Sequence, residues 1–155
     1  MLIKNTNLLH QGAQKTYLTN TEAAGTTVLR VRNSTGMTTS WAAQIGETGE
    51  EQTEIVIGTV PNTGTITCTT TDFEHPADTP VYFTKYDQVV FERSVTGTIG
   101  TATSMTNGTI EYQADSTFTQ FDDTSGSISY AYRTLLRNSV LAVNTTESAW
   151  IVITP

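Results

Sequence analysis

The chain has 155 residues, 37% of them hydrophobic, and a formal net charge of −7 with a pI near 4.6. That length allows one domain or two small ones burying roughly two-thirds of the unfolded surface, so folding requires neither a metal nor disulfides. The acidity excludes nucleic acid as a partner, since a phosphate backbone selects a positive stripe, and no apolar run reaches the length of a membrane span.

Threonine supplies 33 residues. A β-branched side chain with one hydroxyl suits a pleated surface that is wet on one face, and an all-β fold is predicted. Residues 1–25 are polar and lack a clear period, so they read as an arm that orders on a neighbour or as a strand. The first predicted strand covers residues 26–32. Strands at 40–45, closed by Gly46, and at 53–57, closed by Gly58, flank the turn cluster Gly46-Glu47-Thr48-Gly49-Glu50-Glu51. Pro61-Asn62-Thr63-Gly64 has β-turn composition and leads into an alternating run at 65–70. The segment 72–80 carries Pro76 and Pro80 and is the densest breaker in the chain, so a module boundary is placed in or just after it.

The second half reads as a meander. Residues 81–93 alternate Val81, Phe83, Val89 and Phe91, with an interruption at Tyr86-Asp87. Asn107-Gly108 predicts a hairpin between strands at 101–105 and 109–112, because a type I′ turn needs positive φ at both central residues. A strand at 117–121 enters the turn Asp122–Gly126, and a long strand at 129–138 puts Tyr130 and Tyr132 on one face and Arg133 and Arg137 on the other. Residues 148–153 close the fold. Weak helical windows at 6–15 and 135–143 confine any helix to a turn or two. The division is thus an N-terminal arm (1–25), a first β module resembling a barrel or sandwich (26–84) and a second β-sandwich module (85–155).

Residues capable of chemistry are scattered. Cys68 has no partner cysteine and no neighbouring cation, and reads as a small buried hydrophobe. His10 and His75 lie in separate polar segments, His75 as an exposed loop histidine. No Gly-x-Ser-x-Gly elbow frames a serine. Glu50-Glu51 and Asp122-Asp123 are sequence neighbours whose side chains diverge, which suits glycoside hydrolysis poorly; calcium is the better functional reading of Asp122 and Asp123, although the alternation of an EF-hand loop is absent. Trp41 and Trp150 read as core anchors, and Tyr82, Tyr86, Tyr112, Tyr130 and Tyr132 could form a sugar-stacking face. Between Arg32 and Lys85 there is no Lys or Arg, while Glu47, Glu50, Glu51, Glu54, Asp72, Glu74 and Asp78 fall there: a solvated face, or a docking patch for a basic partner. The N-terminus lacks a signal-peptide h-region, so synthesis in the cytoplasm is expected.

Two resemblances are carried by longer stretches. Val89-Val90-Phe91-Glu92-Arg93-Ser94-Val95-Thr96-Gly97, with Phe121–Gly126 and Tyr130-x-Tyr132-x-Thr134-x-Leu136-x-Asn138, resembles the middle strand and the penultimate turn and strand of a fibronectin type III module. Residues 36–58, including Ile45-Gly46-Glu47-Thr48-Gly49-Glu50-Glu51-Gln52-Thr53-Glu54-Ile55-Val56, and the segment Phe73-Glu74-His75-Pro76-Ala77-Asp78-Thr79-Pro80-Val81-Tyr82 resemble structural proteins of tailed bacteriophages. That resemblance implies a noncatalytic virion component without cofactors, made in the host cytoplasm, packing as a homo-oligomer against capsid, portal, neck or tail proteins. The residues expected to dock are Leu2, Ile3, Leu8, Leu9, Tyr17 and Leu18 of the arm and Glu47, Glu50 and Glu51 of the acidic stretch. The rival expectation is a carbohydrate- or host-surface-binding β-sandwich.

Overall fold

The computed structural model describes residues 1–7, 14–98, 100–144 and 151–152. Among these residues the chain is all-β, without helix, and every strand pairing is antiparallel.

The chain starts with β1 (Leu2–Thr6) and then builds a first core from seven short strands: β2 (Gln14–Tyr17), β3 (Val28–Arg30), β4 (Ala42–Ile45), β5 (Glu54–Val56), β6 (Val60–Asn62), β7 (Thr65–Thr67) and β8 (Pro80–Thr84). They form two sheets, ordered β2-β8-β4-β5 and β3-β7-β6. Leu18, Leu29, Val31, Ile45, Val56, Ile66, Val81 and Phe83 fill the space between them. Cys68 joins this core, and burial pushes its thiol up to about 11, helped by the charges of Glu54 and Glu22. Pro61 is accommodated because β6 is an edge strand, and Pro80 because it opens β8. Gln44 is fully buried in β4, where its amide donates to Gly46 O (3.0 Å) and Thr48 Oγ1 (3.1 Å), so its polarity is satisfied.

The second core follows. β9 (Gln88–Ser94), β10 (Thr103–Glu111), β12 (Ala131–Asn138) and β13 (Val143–Asn144) form a sheet in the order β10-β9-β12-β13, with β14 (Ile151–Val152) also on β12. Across it lies a two-stranded ribbon of β1 and β11 (Phe118–Asp122), in the register Ile3↔Phe121 and Asn5↔Thr119. Ile3, Val89, Phe91, Tyr112 and Tyr132 meet between the layers, and Phe91 and Phe121 stack at 5.7 Å between centroids. Thr134 Oγ1 donates to Asn5 Oδ1 (2.9 Å), tying the ribbon to β12.

The expectation of a separate N-terminal arm is therefore corrected. β1 is a strand of the second core, β2 is a strand of the first, and the chain passes from one to the other between them. Alternation in so short a segment is hidden because it serves two different cores. Since β2 runs antiparallel to β8 with Gln14 opposite Phe83, the first core is entered and left at neighbouring points. Asn7, almost fully buried, fixes the departure from β1: its amide donates to Gln113 O (2.7 Å) and Ser116 O (2.9 Å) and accepts from Thr119 Oγ1 (2.8 Å). At the seam between the cores, Asn138 donates to Ser40 O (2.9 Å) and Lys85 O (2.8 Å), Gly49 N–H donates to Ala114 O (2.9 Å), and Ile55 packs on the second core.

The hairpin expected at Asn107-Gly108 is also corrected: β10 runs straight through it, and the pairing with β9 shifts register between Ser104 and Thr109. Asn107 has φ +58° but Gly108 does not adopt positive φ, so the dipeptide makes a bulge rather than a type I′ turn. A Cβ on Gly108 would lie 2.9 Å from Phe91 O, so the glycine is needed for close backbone approach.

Candidate docking surfaces

The structure separates the expected docking residues. Ile3 (7% exposed) and Leu18 (fully buried) lie inside the second and first cores and are not available to a neighbour. Leu8 and Leu9 lie outside the described residues. Leu2, at 52% exposure, is on the solvent face of the β1–β11 ribbon, where the Lys4 ammonium stands 5.1 Å from the exposed Phe118 ring. Glu50 and Glu51 are exposed at the tip of the loop joining β4 and β5.

Tyr17 and Glu47 belong to a knit polar face on the first module. Lys15 Nζ lies 5.2 Å from the Tyr17 ring and 4.9 Å from the Tyr82 ring and donates to Glu47 Oε1 (3.1 Å); the Arg32 guanidinium lies 4.9 Å from Tyr17 and pairs with Asp78 (2.5 Å). The Tyr82 phenol donates to Glu47 (2.7 Å). Burial pushes that phenol upward, with the Glu47 bond acting in the same sense, while the Lys15 ammonium is raised by its bonds to Tyr82 and Glu47.

The chemistry-bearing residues that sequence reading missed are internal clamps. Glu54 accepts from the N–H groups of Asp72 (2.8 Å) and Phe73 (3.2 Å) and pairs with His75 Nε2 (2.7 Å). Burial would raise its carboxyl, but those bonds outweigh it and hold the carboxyl below its ordinary range. His75 is 4% exposed and its backbone exchanges two hydrogen bonds with that of Glu22 (2.9 Å each), which overturns its reading as an exposed loop histidine. The breaker segment is held against the first core by this clamp and leads directly into β8.

In the second module, Asp123 accepts from Arg93 Nη1 (2.8 and 2.9 Å), Ser125 Oγ (3.0 Å) and the Tyr132 phenol (3.0 Å). Burial again opposes the charge, but the bonds from Arg93, Ser125 and Tyr132 prevail and keep the carboxyl low. Burial and the Asp123 bond together push the Tyr132 phenol up. The calcium reading fails here: a guanidinium occupies the face of Asp123, while Asp122 points outward. Glu92 pairs with Arg133 across β9 and β12. A charge inside an apolar strand run, as in Val89-Val90-Phe91-Glu92, is the sequence signal for such a buried pair. Among the described residues no group of three or more His, Cys, Asp or Glu could hold a metal ion.

The tyrosine platform also dissolves, since Tyr82, Tyr112 and Tyr132 are buried and Tyr130 packs beneath Arg93 (5.2 Å). Trp41 is partly buried against the first core, as expected of an anchor, and His10 and Trp150 lie outside the described residues. Comparison with known protein families, curated proteins and solved structures found no match to this chain.

Proposed function

We propose that the chain is a noncatalytic structural component of a tailed-phage particle, acting in multiple copies. The observation that carries this reading is that the two stretches resembling phage structural proteins, 36–58 and 73–82, fold against one another as one unit. Ile45 pairs with Val81, Gly46 N–H donates to Pro80 O (2.9 Å), Tyr82 donates to Glu47, and Glu54 holds Phe73 and His75. Residues far apart in sequence that share one hydrogen-bonded unit form a reusable building block. The buried charges support the same role, because Glu54, Asp123, Glu92 and Glu22 each stabilise a loop or a strand pair.

The finer reading of the second module as fibronectin type III-like is supported by strand order. β9-β12-β13 pair as the C, F and G strands of an immunoglobulin-type sandwich do, β1 and β11 sit opposite as B and E, and Tyr132 at the start of β12 bonds back to the preceding corner. In this reading the first module is an insertion between strands B and C.

Quantitative mass spectrometry of density-purified particles tests the proposal. The chain is expected at a fixed ratio to the shell protein. Its presence in the lysate with absence from particles overturns the reading, and saturable glycan binding in that case favours the adhesion alternative.

A further inference from the structure

Between the two modules runs a groove of about 700 Å³. One wall is the C-terminal end of β10, Thr109 to Glu111, with the segment 112–115 that follows it; β10 pairs only with β9 among the described residues, so its other flank leaves alternate N–H and C=O groups open. The facing wall belongs to the first module: Ile55 of β5 and the loop that the Glu54 clamp fixes, which presents Phe73 at 39% exposure. Ile110 contributes apolar surface from the β10 side, and Asp72, Glu111 and Asp115 are exposed around the rim. Among the described residues no Lys, Arg or His lines the groove.

We infer that this groove binds an extended, Lys- or Arg-bearing segment of another polypeptide, added as a strand to the free edge of β10. Each part of the geometry selects that occupant. An open strand edge supplies main-chain hydrogen bonds to an extended peptide. Side chains of such a peptide alternate between two faces, so one set reaches Ile55, Phe73 and Ile110 while the other meets the acidic rim. A second copy of this chain is a poor occupant, because at net charge −7 it brings more of the charge the groove already carries. The inference is independent of whether the chain is a particle component.

The probe is a fluorescent eight-residue peptide of four Lys-Val repeats, titrated into the full chain at low salt and followed by anisotropy. Saturable one-to-one binding is expected, with none for the matching Glu-Val peptide. The triple variant Asp72→Asn, Glu111→Gln, Asp115→Asn should weaken binding about tenfold or more. If that variant fails to fold, Gln113→Lys, which places a like charge for the peptide at an exposed rim position, should give the same direction of change.

Backbone methylation separates strand pairing from charge attraction. In an extended peptide the Lys N–H groups point to one edge and the Val N–H groups to the other, so N-methylation of one set should abolish binding while methylation of the other is tolerated. Equal effects of the two methylation patterns overturn the inference. So does unchanged affinity in the rim variants, or absence of saturable binding by the Lys-Val peptide.

Discussion

The first core is mainly aliphatic and drawn from one continuous stretch, Leu18 to Phe83, whereas the second is rich in aromatic rings and takes Ile3 from the start of the chain and its other buried members from Val89 onward. The first closes on itself, with β2 and β8 adjacent. The second closes only when β1 docks on β11 at a sequence separation of more than a hundred residues, and the buried Asp123 carboxylate, paired with a half-buried Arg93, pins the corner beside it. Local closure is the geometry expected of a module that folds alone, whereas distant closure makes the second draw on a strand from the far end of the chain.

The strongest way to break this comparison is by cutting. A fragment of residues 14–84 is expected to keep cooperative unfolding and β-type circular dichroism, while 85–155 without β1 exposes the core face that Ile3 covers and loses its tertiary signal. Addition of a peptide of residues 1–7 should restore it; a cooperatively folded 85–155 alone would reverse the assignment of dependence.

Single core truncations come next. Phe83→Ala and Phe91→Ala should each cost about 3–5 kcal/mol, since both rings are buried. The two losses should fall on different modules, with Phe83→Ala speeding exchange of β4 and β8 amides and Phe91→Ala that of β9 and β12. Uniform acceleration across both would mean that the seam fuses the cores into one cooperative unit.

Asp123→Asn should cost about 1–3 kcal/mol at neutral pH by weakening the charge-assisted bonds from the half-buried Arg93. The pH dependence has a definite sign. Because the folded carboxyl is held below its ordinary value, its stabilisation is present above the unfolded value of about 4 and is lost as pH falls through the lower folded value. Acid titration of the native chain should therefore weaken the second module in that window, and the variant should show a flatter profile. An identical acid profile in both would remove Asp123 from the account.

The smallest effect is expected at the loop tip. Glu50→Gln with Glu51→Gln should leave both unfolding midpoints unchanged, because these side chains are exposed. A measurable shift would show that the β4–β5 loop is coupled to the seam through Gly49.

Strand identity was legible where side chains alternate, as at Thr65–Thr67, where a run is bounded by turn residues, as Ala131–Asn138 is after Asp122–Gly126, and where glycine or proline marks an end. The fate of residues 1–18 was not, since a strand of five residues and another of four offer too little period to reveal which core each joins. Asn107-Gly108 misled because the dipeptide favours positive φ without specifying reversal; the continuing ladder with β9 decided the outcome. His75 and Asp123 were hidden for a different reason. Their partners, Glu54 and Arg93, stand 21 and 30 residues away, and only the fold brings them together. The acidic stretch was visible as charge, but its division into a buried clamp at Glu54 and an open rim at Asp72 depends on where the second module lies.

Cys68 gives the first module a clock of its own. It is the chain's single thiol, it faces an aliphatic interior, and its displaced acidity leaves almost no thiolate at neutral pH. With so little of the side chain exposed, local opening around it is expected to speed its alkylation, so the pace of that reaction reports on motions of the first core. Any event elsewhere in the molecule, whether a strand settling on β10 or β1 leaving its ribbon, becomes audible in that rate only to the extent that the seam carries it across.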